Sequence, residues 1–304
     1  MIHDGSATPV PINYHRQGSG PPLVLLHGIG HHWQTWRAVI ELLAGEFELI
    51  ACDSPGFGRS PPLPAGVVPS IPAYVEAFKQ FFAEQGLERP HVAGNSMGGA
   101  IALELARDQA VRSVSAFSPA GFWTSRERRF AQLSLGATAA LPRAARPPVA
   151  ALARTRPGRV ALFWQLFGWP TRMPAEEAVS TLEDAWGAPA FSAAMAAFDG
   201  YRFGAPEQLR GVPVTVAWGD RDLLLLYGRQ APRARAMLPW ARHVRLGAGH
   251  VPFFDDPPAV AEVIRACAGD LAAAGEPVAA VAQATRAGSG TGSGPPSSVN
   301  GGGE

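Results

Sequence analysis

The stretch Pro90-His91-Val92-Ala93-Gly94-Asn95-Ser96-Met97-Gly98-Gly99-Ala100 limits more than any other what this chain can fold into. A short run bounded by Pro90 ends at Gly94, and Ile101-Ala102-Leu103-Glu104-Leu105-Ala106 reads as the helix that follows. Between them, Gly94-Asn95-Ser96-Met97-Gly98 matches the pattern G-x-S-x-G. A serine on a sharp strand-to-helix turn sits in a strained backbone, so only residues without bulk fit two positions to either side. The turn lifts the hydroxyl clear of the sheet. It also aims the first helical N–H groups, with the positive end of the helix dipole, at the same spot. A nucleophile and a developing oxyanion both suit that place. By itself the pattern is a common Gly/Ser loop, and its meaning depends on what the rest of the chain supplies.

Such a turn needs a sheet behind it. Apolar runs at 23–26, 47–52, 111–117 and 212–219 have strand length, with shorter strands expected at 12–15 and 243–246. The unbroken apolarity of Leu23-Val24-Leu25-Leu26 suits a strand covered on both faces. Helical spacing predicts helices over 33–44, 72–85, 230–237 and 258–267 or a little beyond. This alternation predicts right-handed crossovers and an α/β architecture with a mostly parallel, doubly wound sheet.

The rhythm breaks over 122–209. Patches of Ala, Arg and Pro alternate there with aromatic ones such as Phe163-Trp164-Gln165-Leu166-Phe167. The expectation is a mainly helical insertion that covers one end of the sheet, its arginines forming a solvated face. Beyond 274 the composition collapses to Ala, Gly, Ser and Pro, which cannot bury enough apolar surface to offset ordering entropy. The expected organisation is therefore a core of 1–121 with 210–274, an insertion of 122–209, and a disordered tail of 275–304.

A serine is a poor nucleophile without a base, and an imidazole a poor base without a group to orient it. Gly247-Ala248-Gly249-His250-Val251-Pro252 offers a histidine in a Gly-rich loop after the last strand. Trp218-Gly219-Asp220-Arg221-Asp222 offers two carboxylates after the strand before it. His31 and His32 are adjacent, so their side chains point apart, and no third ligand stands nearby; no metal site is expected. His91 and His243 open strands and read as surface or edge positions.

Composition narrows the class. The charged residues of the 304-residue chain nearly balance at +1, which points to neither nucleic acid nor an acidic membrane surface. Cys52 and Cys267 lie far apart and read as small buried apolar residues, not as a disulfide. The N-terminal residues lack a basic n-region and an apolar h-region, and no apolar run reaches membrane-spanning length. The expectation is a soluble cytoplasmic protein acting on a small molecule, without a cofactor, while oligomeric state is not written in these features.

Five motifs together resemble the α/β-hydrolase family: His27-Gly28 after a strand, Asp53-Ser54-Pro55-Gly56-Phe57-Gly58-Arg59-Ser60, Gly94-Asn95-Ser96-Met97-Gly98-Gly99, Trp218-Gly219-Asp220-Arg221-Asp222 and Gly249-His250-Val251-Pro252. They occur in the family's order, over about 23–267. The resemblance implies the α/β-hydrolase fold, with 122–209 as a helical cap inserted after the family's sixth strand. The family's N-terminal hairpin is shortened here, which removes one strand.

The resemblance also implies roles. Ser96 is the nucleophile, His250 the base and then the acid, and Asp222 the orienting acid. The W-G-x-x-D pattern selects Asp222 over Asp220, which is expected to cap the turn. The N–H groups of Ile29 and Met97 form the oxyanion hole, while His27 and Asp53 brace loops. Serine at 96 argues against dehalogenases and epoxide hydrolases of this family, which carry Asp there. The leading expectation is hydrolysis of carboxylic esters of a small apolar substrate through an acyl-enzyme. The alternatives are a C–C bond hydrolase of ring-fission diketo acids and a non-catalytic ligand-binding protein. Ile29 and Val251 stand where C–C hydrolases carry a glycine-rich loop and a Trp.

Overall fold

Alternate side chains along the central strands go to opposite cores. Val24 and Leu26 belong to one hydrophobic cluster, Leu23 and Leu25 to the other, and Ile50 and Leu49 divide in the same way. Both faces are therefore apolar, and both are covered. The computed structural model describes residues 10–273; the expected tail lies outside the described residues.

In chain order the first half runs β1 (Tyr14–Gln17), β2 (Pro22–Leu26), α1 (Arg37–Leu43), β3 (Glu48–Cys52), α2 (Ile71–Glu84), β4 (His91–Asn95), α3 (Met97–Arg107) and β5 (Ser113–Phe117). Five helices follow without a strand: α4 (Ser125–Ala139), α5 (Arg146–Ala153), α6 (Arg156–Phe163), α7 (Ala175–Gly187) and α8 (Phe191–Ala197). The chain returns to the sheet with β6 (Val214–Gly219), α9 (Tyr227–Met237), β7 (Arg242–Leu246), α10 (Pro252–Asp255) and α11 (Pro257–Ala273). The strand order is β1-β3-β2-β4-β5-β6-β7. All neighbours pair in parallel except β1, which runs antiparallel to β3. One antiparallel edge strand thus stands where a full hairpin would make two, and the helical segment follows the fifth strand of this chain.

Local chemistry explains where the boundaries shift. The helix expected over 33–44 opens as a 3-10 turn, Trp33–Trp36, because its start is pinned. The N–H of Gln34 donates to His32 Nδ1, and the N–H of Trp33 donates to Asp53 Oδ1 at 2.8 Å. α4 begins with a capping box in which Thr124 and Glu127 satisfy each other's backbone N–H groups. α11 ends a little beyond Cys267, as expected, at Ala273.

The alternating order also corrects one expectation. His91 opens a strand, but β4 is central, so His91 is 6% exposed and its Nδ1 lies 2.7 Å from Ser113 Oγ. His243, on the edge strand β7, is half-buried, and its Nε2–H donates to Leu238 O.

Candidate active site

In an open parallel sheet with helices on both faces, groups converge at the carboxyl ends of the strands near the point where strand order reverses. Here β4 is that point, and the turn after it carries Ser96. The backbone at Ser96 has φ +54° and ψ −111°, outside the regions open to most residues. The flanking glycines are obligatory for a steric reason. A Cβ on Gly94 would lie 2.2 Å from Gly98 O, and one on Gly98 would lie 2.4 Å from Leu26 O. The turn is held by Ser96 N–H donating to Phe117 O and by Ala120 N–H donating to Ser96 O, each at 3.0 Å.

His250 and Asp222 meet at the ends of β7 and β6. His250 Nδ1–H donates to Asp222 Oδ2 at 2.8 Å, and each residue is only 2% exposed. The other oxygen of Asp222 accepts the N–H groups of Leu224 (3.0 Å) and Leu225 (2.8 Å). Three donors thus hold this carboxylate in one orientation. Asp220 does not cap the turn as expected. Its Oδ2 accepts both Nε (3.1 Å) and a terminal nitrogen (2.9 Å) of Arg245, while its Oδ1 is buried without a partner among the described residues.

Ser96 and His250 line the same cavity, with Ile29 and Val251 on its floor and α4, α6, α7 and α8 contributing its roof. Among the described residues Ser96 Oγ has no hydrogen-bond partner, and neither do the N–H groups of Ile29 and Met97. The cavity encloses about 50 Å³, and none of the residues lining it carries a formal charge apart from what a histidine can acquire. Its apolar wall includes Leu135, Leu162, Phe163, Leu182 and Phe191. A smaller adjoining space of about 20 Å³ also touches Ser96 and includes Arg128. The terminal nitrogens of that guanidinium donate to Asp199 Oδ1 and to Asp199 O at 3.0 Å each, while its Nε is buried without a partner among the described residues.

Two polar groups in the cavity wall stand apart from the rest. His31 Nδ1–H donates to Ile29 O, leaving Nε2 buried without a partner among the described residues; Gln165 Oε1 is likewise unpartnered. Burial pushes His31 down to about 3, so its ring is neutral near neutral pH. His32 turns the other way, its Nε2 lying 2.8 Å from Asp184 on α7, which ties the loop after β2 to the roof.

His27 and Asp53 do structural work. His27 Nδ1–H donates to Gly28 O (2.7 Å) while its Nε2 accepts Ser54 N–H (2.9 Å), so both ring nitrogens are occupied. Asp53 accepts from Trp33 N–H, Arg59 N–H and Asn13 Nδ2, joining three loops.

Two positioning residues carry no signal in the sequence. Asn95 is the variable position of G-x-S-x-G, yet its Nδ2 donates to Phe117 O (3.0 Å) and His250 O (2.9 Å), clamping the histidine loop to β4. Asp255 accepts three backbone N–H groups: Gly249 (2.7 Å), Gly168 (2.8 Å) and Trp169 (2.9 Å). It therefore joins the loop of His250 to the chain after α6. The side chain stands on α10, and only the folded backbone brings those donors to it. Asp255→Ala is expected to lower stability by about 2–3 kcal/mol, because partly buried donors lose their acceptor. It should also lower turnover of an ester more than it raises KM. Urea denaturation and steady-state kinetics check both, and unchanged kinetics would show that the clamp does not position His250.

A model of the alpha/beta hydrolase family matches residues 23–263. Among characterised relatives, the chain is 40% identical over 116 residues to the dihydrolipoyllysine-residue acetyltransferase component of the acetoin cleaving system of Cupriavidus necator, a match spanning 37% of this chain and 30% of that protein. It is 38% identical over 95 residues to a pimeloyl-[acyl-carrier protein] methyl ester esterase of Aeromonas hydrophila, spanning 31% of this chain and 35% of that one. The chain thus spans about a third of the length of these two relatives. Among solved structures, a bacterial membrane phospholipase A superposes with a TM-score of 0.68 at 27% identity, covering 87% of this chain and 85% of that one.

Proposed function

The chain belongs to the alpha/beta hydrolase family, and on that premise we propose that it is a serine hydrolase that cleaves carboxylic esters through an acyl-enzyme. The observation that carries this reading is the one cavity wall shared by Ser96 and His250, with a buried Asp222 bonded to the far side of the imidazole. The Asp222 carboxylate keeps the proton on Nδ1, which leaves Nε2 free to act as base. Ser96 Oγ attacks the carbonyl carbon as its proton passes to His250. The N–H groups of Ile29 and Met97, unpartnered and close to Ser96 in the chain fold, receive the oxyanion. His250 then protonates the departing alcohol, and a water activated by the same ring releases the acid.

The uncharged apolar wall supports neutral esters with short acyl groups, the residues 122–209 serving as the cap that shapes it. Similarity to an esterase and a phospholipase agrees with ester chemistry. A ring-fission diketo acid is anionic, and the lining of the main cavity has no arginine or lysine to receive it.

Two measurements test the proposal. A fluorophosphonate should label the protein, and Ser96→Ala should abolish both labelling and turnover without a change in melting temperature; labelling retained in the variant would exclude Ser96. On the native protein, kcat/KM for neutral short-chain nitrophenyl esters should exceed that for dicarboxylate half-esters and a vinylogous diketo acid. Preference for the diketo acid would assign C–C hydrolysis instead. Absence of any burst with an activated ester would favour a non-catalytic binding protein.

A further inference from the structure

Charge is balanced over the chain but not along it. From residue 128 to residue 175 there are eight arginines and no aspartate, glutamate or lysine. Inside this segment α5 and α6 pack against each other as a hairpin, and α6, which turns Leu162 and Phe163 inward, also buries an arginine and leaves apolar residues outside. Its buried residues are Gly158, Arg159 and Phe163, whereas Pro157, Val160 and Ala161 face solvent, with Trp164 just beyond its end. Arg159 is 6% exposed and donates to Ala153 O (3.3 Å) and Arg154 O (2.9 Å), closing the end of α5. Gly158 permits the close approach, since a Cβ there would lie 1.9 Å from Leu152 O. A surface helix ordinarily puts its apolar stripe on the core and its cations outside. Here Leu152, Val160 and Trp164 are 44%, 45% and 48% exposed.

We propose that the outer face of the α5–α6 hairpin is a docking surface for an anionic lipid bilayer. Leu152, Val160 and Trp164 enter the boundary between headgroups and acyl chains. Arg143, Arg154 and Arg156, all exposed, meet the anionic headgroups. Among the described residues Arg143 and Arg156 have no ion-pair partner, and Arg154 has an exposed one in Glu176. Charge decides between bilayer and second copy: a two-fold contact through this face would bring two arginine-only segments together. The same helix borders the cavity, because α6 supplies Leu162 and Phe163 to the cavity wall from its other side. No helix among the described residues is long and apolar enough to cross a membrane, so the contact is interfacial.

The test uses the full chain and reads binding, not hydrolysis, so it stands whether or not the catalytic reading does. In cosedimentation, vesicles of phosphatidylglycerol and phosphatidylcholine should retain the protein, with association falling as salt rises and at least about tenfold weaker on pure phosphatidylcholine. Val160→Ser with Trp164→Ser should weaken association by about tenfold or more, and Arg154→Gln with Arg156→Gln by a similar factor, with unchanged melting temperatures because all four side chains are exposed. No association with anionic vesicles, or equal association by the variants, would overturn the proposal. So would a dimer in light scattering that the Val160→Ser, Trp164→Ser variant dissolves, or binding of poly-glutamate but not of vesicles.

Discussion

Asp222→Asn should lower kcat by about 10⁴-fold, while Asp220→Asn should change it by less than about twofold. Asp222 uses both oxygens as acceptors, one for His250 Nδ1–H and the other for the N–H groups of Leu224 and Leu225. Asparagine has one acceptor oxygen. With that oxygen on the backbone amides, its NH₂ faces Nδ1 and drives the imidazole to the Nε2–H tautomer, which cannot take a proton from Ser96. Turned the other way, the NH₂ meets two buried donors at a cost of about 1–3 kcal/mol for each unsatisfied group. Asp220 pairs with Arg245 near the surface, away from His250, and a pair of this kind contributes about 0–1 kcal/mol. Kinetics on the two variants decide the matter, and activity lost in the reverse order would place the acid at Asp220.

Folding stability should fall steeply as pH drops below about 6.5. Burial pushes His31 down to about 3 and His91 to about 4, and lowers His27 as well. A histidine whose folded value is depressed binds its proton first in the unfolded chain. Its contribution is therefore intact above 6.5 and is lost as pH falls toward the folded value. Each such ring removes up to about 1.4 kcal/mol per pH unit, so three remove at most about 4 kcal/mol per unit. Burial raises Glu104 and Asp255, which act in the opposite sense at lower pH and blunt the slope near the carboxylate range. Against a total of about 5–15 kcal/mol, the loss between pH 7 and 5 is large. Urea denaturation over that interval measures it, and His91→Gln should flatten the profile by about one proton. A flat profile in the native protein would mean that these rings titrate alike folded and unfolded.

The parts legible in the sequence share one property: their cause is local. Gly94 and Gly98 announce the turn because a Cβ at either position meets backbone across the turn or on β2. Apolar runs announce β2 and β3 because both sheet faces are covered, and the break in strand rhythm after β5 coincides with five successive helices. The proposed nucleophile, base and acid were each placed by a loop motif at a strand end.

What only the tertiary structure decided depends on which chain segments become neighbours. His91 reads as an edge residue until the strand order puts β4 at the centre, where burial makes it a pH-sensitive group. Asn95 and Asp255 look like ordinary polar residues until folding delivers backbone donors and acceptors from remote segments to their side chains. The arginines of 122–209 read as a solvated face because composition does not record direction. Packing buried Arg159 and left Val160 and Trp164 outside, since the two helices approach through Gly158 and only a side chain able to bond the free carbonyls of α5 fits beside it. Periodicity reports which residues share a face of a helix, but the partner that face meets is set by the fold as a whole.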